Sequence, residues 1–220
     1  IPPGGPSRGA ATEKLRSPAV DLASCILPPA SGRVEGWILH LGSCILHHGP
    51  AMSDATKSWR AGYVKLARSG ELDQRVEQLE ALLGDCTVCP RACRVDRRNE
   101  LGECATGHEA VIASWNPHHG EEPVISCRRG SGTVFLANCN LRCVFCQNHD
   151  ISQRPGAFTG RSIADEERAA IFVDLQDHGC HNINWVSPSH QVPQLVRALA
   201  IAAARGLSIP IVYNTNAYDS

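Results

Sequence analysis

The chain has 220 residues, of which 43% are hydrophobic and 20% are charged, and its formal net charge at pH 7 is -1. These values are typical of a soluble globular protein, and a charge this close to zero gives no electrostatic reason to expect binding to nucleic acid or to an anionic membrane. The sequence contains no run of about 18 apolar residues, so it predicts no membrane span.

Cysteine usage is the first informative feature. Eleven cysteines are present, and eight of them lie from Cys86 to Cys146, seven of these in two short-spaced groups. A secreted disulfide framework would spread its bridges through the fold, whereas closely spaced thiols in a reducing cytosol favour metal ligation. We therefore predict a cytoplasmic, metal-binding protein.

Residues 1–51 precede the only methionine, Met52. They hold seven of the fourteen prolines and show no clear periodicity. We predict that this stretch is a disordered leader or upstream sequence read as protein, with a targeting peptide as the alternative, and that translation naturally starts at Met52.

A helical segment is predicted within residues 52–84. Four apolar residues recur at helical spacing before a glycine that ends the helix. The apolar residues are Leu72, Val76, Leu79 and Leu83, and the glycine is Gly84.

Residues 85–130 are predicted to form a compact, loop-dominated segment, rich in glycine, proline and charge, with one short strand-like stretch at 111–114. A cysteine quartet lies within it: Cys86, Cys89, Cys93 and Cys104. Four thiols can close either a zinc site or a second iron–sulfur cluster, and the spacing does not choose between them. We expect the quartet to brace the segment, with electron relay as a second role and free buried thiols as the alternative to metal binding.

Residues 131–220 alternate between strand and helix. The pattern predicts strands at 133–137, 183–186 and 209–213, a helix opened by a capping box at Ser162 and Asp165 and ending near 178, and a second helix from Pro193 to about 205. This order predicts a parallel sheet with right-handed crossovers, in which ligand-binding groups collect at the carboxyl ends of the strands. Cys139, Ser187 and Asn214 each follow a predicted strand.

The stretch CNLRCVFC places three thiols, Cys139, Cys143 and Cys146, directly after the first of these strands. Thiolates bind soft metals, and a closed structural site takes four ligands. On a cubane iron–sulfur cluster, three cysteines would hold three irons and leave the fourth iron open to a substrate or cofactor. The alternative is a zinc site completed by a distant side chain such as His149 or Cys127.

This cysteine triplet, with an aromatic residue just before its last member, resembles the signature of radical S-adenosylmethionine (SAM) enzymes. The stretch GSGTVFLANCNLRCVFCQN, together with CTVCPRACRV upstream and NINWVSPSH and PIVYNTNAYDS downstream, is similar to uncharacterised relatives of pyruvate formate-lyase activating enzyme. The likeness covers about residues 80–220. It implies an α/β fold that is part of a radical SAM (β/α) barrel. Only three strands fit before Ser220, so we expect a chain truncated at its C-terminus that holds a cluster poorly and turns over little by itself.

The resemblance also implies a cofactor chemistry. Cys139, Cys143 and Cys146 would hold a [4Fe-4S] cluster whose open iron binds S-adenosylmethionine. Reductive cleavage of that cofactor would give a 5'-deoxyadenosyl radical, which takes hydrogen from a protein glycine or a small molecule. A flavodoxin- or ferredoxin-type protein would donate the electron. The alternative function is a non-catalytic zinc or iron–sulfur binding module.

The same resemblance implies contacts to the cofactor. Phe145 matches the aromatic residue that packs near the adenine. Ser187 and Ser189 lie in the loop where many relatives carry Gly-Gly-Glu to bind the amino group of the cofactor. Asn214 and Thr215 follow the third predicted strand and are candidate cofactor contacts. No side chain is assigned a catalytic role.

The stretch NPHHGEEPVIS, at residues 116–126, resembles the family segment before the first barrel strand. His118, His119, Glu121 and Glu122 could line the substrate side of the site, or they could form a polar turn, which is the default interpretation of such a stretch.

Overall fold

The structure, a computed structural model, describes residues 60–153 and 160–220. The predicted leader at residues 1–51 lies outside the described residues. Six α-helices are present in the part that is described: α1 Gly62–Ser69, α2 Glu71–Ala81, α3 Pro123–Ser126, α4 His149–Ser152, α5 Asp165–Asp177 and α6 Val192–Ala204. The strands are β1 Ala110–His118, β2 Ser131–Leu136, β3 Arg161–Ile163, β4 Ile183–Val186 and β5 Ile211–Asn214, and a 3-10 helix spans Ser189–Gln191.

The five strands form one open, mixed sheet in the order β3-β1-β2-β4-β5. Strands β2, β4 and β5 run parallel to one another, as the alternating pattern predicts. Strand β1 is antiparallel to both of its neighbours, β2 and β3. The chain therefore has a mixed α/β fold, and across the described residues its sheet does not close into a barrel.

Strand β1 is longer than the sequence predicts. The strand-like stretch at 111–114 is the centre of a nine-residue strand that pairs with most of β2. Asn116 and Pro117, which argue locally against a strand, are held there by pairing with Thr133 and Gly132. The prediction of a loop-dominated segment up to residue 130 was therefore wrong for β1, because long-range pairing overrides local preference.

The capping box predicted at Ser162 and Asp165 is also wrong. Ser162 belongs to β3, where it pairs with Val111. The N-cap of α5 is Ala164, and among the described residues no side chain caps this helix with a hydrogen bond. Asp165 is the first residue of the helix. A serine that is needed in a strand ladder is not free to cap the helix that follows it.

The N-terminal part of the described chain contains two helices instead of one. Helices α1 and α2 are separated by Gly70, whose φ of 76° is a left-handed conformation that glycine adopts without strain. Helix α2 ends at Ala81, three residues before the predicted stop at Gly84. Leu72 and Leu83 are buried, in agreement with the apolar spacing.

The main core forms where α5 and α6 pack against each other and against the sheet. Its members include Phe172 of α5, Leu195 of α6 and Trp185 of β4. The Phe172 and Trp185 rings lie 5.9 Å apart between centroids. This packing fixes the three parallel strands, so the loops at their carboxyl ends start from rigid positions.

Among the helices of the described ranges, none combines the length and the hydrophobicity that crossing a membrane requires.

Candidate metal centre

The cysteine triplet lies at the carboxyl end of β2. The strand ends at Leu136, and Asn138 then adopts a left-handed conformation with a φ of 67°, which asparagine tolerates better than most residues. Its backbone N–H donates to the carbonyl of Ile151, at the end of the triplet loop, over 2.9 Å. The chain therefore turns sharply from a central strand into the loop that carries the three thiols.

The thiols have different surroundings. Cys139 is buried, and its Sγ accepts hydrogen bonds from the backbone N–H of Leu141 at 3.4 Å and from the Asn216 amide at 3.5 Å. Cys146 Sγ lies 3.3 Å from Ser152 Oγ. The thiol of Cys143 is partly exposed. Hydrogen bonds to sulfur are the contacts by which protein groups orient and tune metal-bound cysteine.

The thiols share one loop without converging on one point. Among the residues that the structure describes, no group of three or more His, Cys, Asp or Glu side chains is arranged to hold a metal ion. The chemistry of the donors, three thiols beside amide donors, fits a soft metal or a cluster. Binding would require the Cys143 and Cys146 side chains to turn toward Cys139.

Segments that follow β4 and β5 meet the triplet loop. The backbone N–H of Ser187 donates to the carbonyl of Asn214 at 2.8 Å, which ties the ends of these two strands together. The amide of Asn140, a fully buried residue, donates to the Tyr218 carbonyl at 2.9 Å and accepts from the Asn216 amide at 3.0 Å. All three parallel strands thus contribute to one site at the same edge of the sheet.

A carboxylate that the sequence analysis missed lies in this site. Asp219 accepts hydrogen bonds from the hydroxyls of Ser189 and Thr215, and the Tyr213 hydroxyl lies 3.4 Å from it. The bond from Ser189, followed by that from Thr215, holds the pKa of Asp219 below its usual value. The only signal in the sequence was an acidic residue soon after a strand end.

A cavity of about 320 Å³ opens beside this carboxylate. Its walls combine apolar and polar side chains: Leu79, Leu82, Thr87, Val88, Ser189, Val192, Tyr213, Asp219 and Ser220. No Lys, Arg or His is among these residues, so the charge of Asp219 is left without a cationic neighbour in the cavity wall. A larger cavity, of about 740 Å³, runs along α2 and involves none of the predicted site residues.

The remaining predicted cofactor contacts are placed unevenly. Ser189 is 3% exposed and faces Asp219, whereas Asn214 and Thr215 are exposed at the end of β5. Ser187 has a φ of 52°, a left-handed conformation. The Phe145 side chain is 83% exposed, so it is not a core residue.

The polar stretch at residues 116–126 lies at the other end of the sheet. His118 pairs with Ser131, the first residue of β2, whereas Cys139 follows the last residue of that strand. Glu121 accepts a hydrogen bond from the Asn184 amide at 3.2 Å. The structure thus places His119, Glu121 and Glu122 in a polar turn between β1 and α3, and it places the whole stretch away from the triplet. Cys127, which follows α3 just before β2, lies at this same far end.

The cysteine quartet packs against the triplet loop. Asn138 donates to the Ala105 carbonyl at 3.0 Å, and Arg91 and Arg142 each bridge the two regions, the first to the Asn140 carbonyl and the second to the Glu103 carbonyl. The two cysteine groups are therefore neighbours across one set of backbone contacts.

The chain is similar in sequence to an uncharacterised archaeal protein. An uncharacterised protein of the archaeon Methanocaldococcus jannaschii is 32% identical over 154 residues, which cover 67% of this chain and 43% of the relative. The chain therefore spans less than half the length of that relative. No family model matches the chain, and no solved structure matches it.

Proposed function

We propose that the chain is the cluster-binding part of a radical SAM enzyme related to the activating enzyme of pyruvate formate-lyase. The observation that carries the proposal is the position of Cys139, Cys143 and Cys146. They lie on one loop at the carboxyl edge of three parallel strands, the place where α/β folds bind ligands. Strands β2, β4 and β5 with α5 and α6 would be the first part of a (β/α) barrel.

The three thiols would hold a [4Fe-4S] cluster with one open iron. Such a cluster supplies one electron to S-adenosylmethionine, whose carbon–sulfur bond breaks to give methionine and a 5'-deoxyadenosyl radical that abstracts hydrogen. The protein residues bind and orient. Asn216 donates to the sulfur of Cys139, and hydrogen bonds to cluster sulfurs shift the reduction potential of the cluster.

The cavity beside Asp219 suits the positive charges of the cofactor. S-adenosylmethionine carries a positive sulfonium and a protonated amino group, and the cavity has one carboxylate held by hydroxyls with no cation in its wall. Apolar side chains such as Leu79 and Val192 line other parts of the cavity. Exposed Phe145 would then gain its burial from the adenine. We further propose a cytoplasmic location and a flavodoxin- or ferredoxin-type electron donor.

The test is anaerobic reconstitution of the chain with iron and sulfide. A radical SAM protein is expected to turn brown, to lose its visible absorption on reduction by dithionite, and to change its electron paramagnetic resonance spectrum when S-adenosylmethionine is added. The formation of 5'-deoxyadenosine is then measured by mass spectrometry, both for this chain and for the full-length protein. Replacing Cys143 with serine should abolish all of these signals, whereas Cys127→Ser, which changes a thiol at the far end of β2, should preserve them. A colourless protein with zinc at the triplet and no response to S-adenosylmethionine would contradict the proposal and favour a non-catalytic module.

A further inference from the structure

The Cys-rich segment, residues 82–109, lies between α2 and β1 and contains no helix or strand. Its buried hydrophobic side chains are Leu83 and three thiols, those of Cys86, Cys89 and Cys104. None of these four belongs to the main core. Small structural units without a sufficient core of their own are commonly stabilised by cross-links or metals.

Backbone hydrogen bonds bring together the stretches of the segment that carry the cysteines. Cys86 exchanges hydrogen bonds with the strand-like residues opposite it, donating to Val95 at 3.0 Å and accepting from Arg94 at 3.1 Å. A turn brings the N–H of Ala92 to the carbonyl of Cys89 at 2.9 Å. The stretch around Cys86 is therefore held beside the stretch that contains Arg94 and Val95.

The thiols of Cys93 and Cys104 lie close together beside Gly102. A Cβ placed on this residue would lie 3.4 Å from the Sγ of Cys104 and 3.5 Å from the Sγ of Cys93. Both sulfurs therefore occupy the space next to one glycine.

A buried cation supplies the independent observation. Arg97 is 1% exposed and donates to the carbonyls of His190 at 2.7 Å and Gly107 at 3.1 Å, and its backbone N–H donates to the Leu83 carbonyl at 2.8 Å, beside the Cys86–Val95 pair. Its Nη2 has no hydrogen-bond partner among the described residues. A buried guanidinium with a free N–H requires a nearby anion, and four thiolates around a divalent ion carry net negative charge.

We propose that Cys86, Cys89, Cys93 and Cys104 form a closed structural site for a thiophilic, redox-inert ion of the Zn²⁺ class, with Arg97 as a cation that offsets part of its negative charge. The Cys-x2-Cys pair at its start has the spacing usual for a structural zinc site, and four thiols leave no position open for substrate. Because the four sulfurs are not at ligand distances in the structure, binding must draw them to about 2.3 Å from the ion. The site fixes the Cys-rich segment beneath the triplet loop, and it does not depend on the proposed radical chemistry.

The test uses the full chain with Cys139, Cys143 and Cys146 replaced by serine, so that any bound metal is at the quartet. Zinc, iron and sulfide are measured after purification and dialysis, and about one zinc per chain with no sulfide is expected. Cobalt(II) added to the zinc-free protein should give the intense absorption of tetrahedral cobalt with thiolate ligands. Replacing Cys86 and Cys89 as well should remove both signals, whereas adding Cys180→Ser, which changes a buried thiol of the main core, should preserve them.

A second measurement covers variants that fail to fold. A chelator should lower the thermal unfolding midpoint of the triplet-serine chain, and zinc should restore it, because the ion binds only the folded segment. The absence of bound metal, or zinc that persists without Cys86 and Cys89, would overturn the proposal. Iron with stoichiometric sulfide at the quartet would overturn the choice of ion in favour of a second cluster.

Discussion

Asn140 illustrates what can be predicted at the scale of the single residue. The sequence places it between Cys139 and Cys143, but its role depends on chain segments far away. Its carbonyl accepts a hydrogen bond from Arg91, and its side-chain amide bonds to the Tyr218 carbonyl and the Asn216 side chain. The cysteine spacing could be predicted from the sequence because the three cysteines are close together in the chain. The contacts of Asn140 that connect them to the rest of the fold could not be predicted.

His190 is a second residue whose environment the sequence does not indicate. As a loop histidine it would be expected in solvent, but it is 1% exposed, with its ring nitrogen 3.4 Å from the Ala137 carbonyl and 3.1 Å from the Gln191 amide. Burial lowers the pKa of His190 to about 4, and the positive charge of Arg97 acts in the same direction. The ring is therefore neutral in the folded protein at neutral pH.

This burial predicts a loss of stability in acid. In the unfolded chain the ring binds a proton near pH 6.5, whereas in the folded chain it does so only near pH 4. Between these values the unfolded state binds more protons, so stability should fall by about 3 kcal/mol as the pH drops from about 7 to about 4. Urea unfolding across this range should show a shallower pH dependence for His190→Asn than for the wild type. His178→Asn, at an exposed site, should keep the wild-type slope, and equal slopes for all three proteins would refute the assignment.

At the scale of secondary structure, predictions succeeded where apolar periodicity and packing agree. Strand β4 was predicted with the bounds that it has, and α6 within one residue, because both are apolar and central. Strand β3 was missed and β1 was predicted too short, because their residues form strands only through pairing with each other and with β2. A short polar strand has no local signal of its own.

Strand β2 provides a test of how tightly the central layer is packed. A Cβ on Gly132 would lie 2.8 Å from the carbonyl oxygen of Asn182 and 3.2 Å from the Cβ of Leu175. The Gly132→Ala substitution should therefore force β2 away from the start of β4 or from α5, at a cost of about 1–3 kcal/mol in the free energy of unfolding. Urea denaturation followed by tryptophan fluorescence measures this, since Trp185 is in the core.

Gly62→Ala is the matched control for that substitution. Gly62 is the first residue of α1, and a Cβ there meets nothing within 4 Å. Because alanine favours a helix by up to about 1 kcal/mol over glycine, this variant should be as stable as the wild type or slightly more stable. If Gly132→Ala were equally harmless, the close packing of β2 described above would be incorrect.

At the scale of the whole molecule, charge joins parts that the hydrophobic core does not. Arg197 of α6 forms ion pairs with Glu80 of α2 and Asp165 of α5, and it lies 3.4 Å from Glu109, just before β1. Arg168, fully buried, shares Glu109 and Asp165 with it. Burial lowers the pKa of Arg168 to about 10. This network links α2, the end of the Cys-rich segment and the two core helices. No sequence pattern predicts it, since its members are separated by up to 117 positions.

Asp165 is the position at which this network can be tested, because its two carboxylate oxygens serve both arginines. Asp165→Asn leaves Arg168 and Arg197 with less compensating charge in a buried region, so the free energy of unfolding should fall by about 3 kcal/mol or more. Asp177→Asn, at the exposed end of the same helix, should change it by less than about 0.5 kcal/mol. Both values follow from urea unfolding at neutral pH. If Asp165→Asn lost no more unfolding free energy than the control, core packing alone would hold the helices together. In that case the two variants should also have equal stability at high salt.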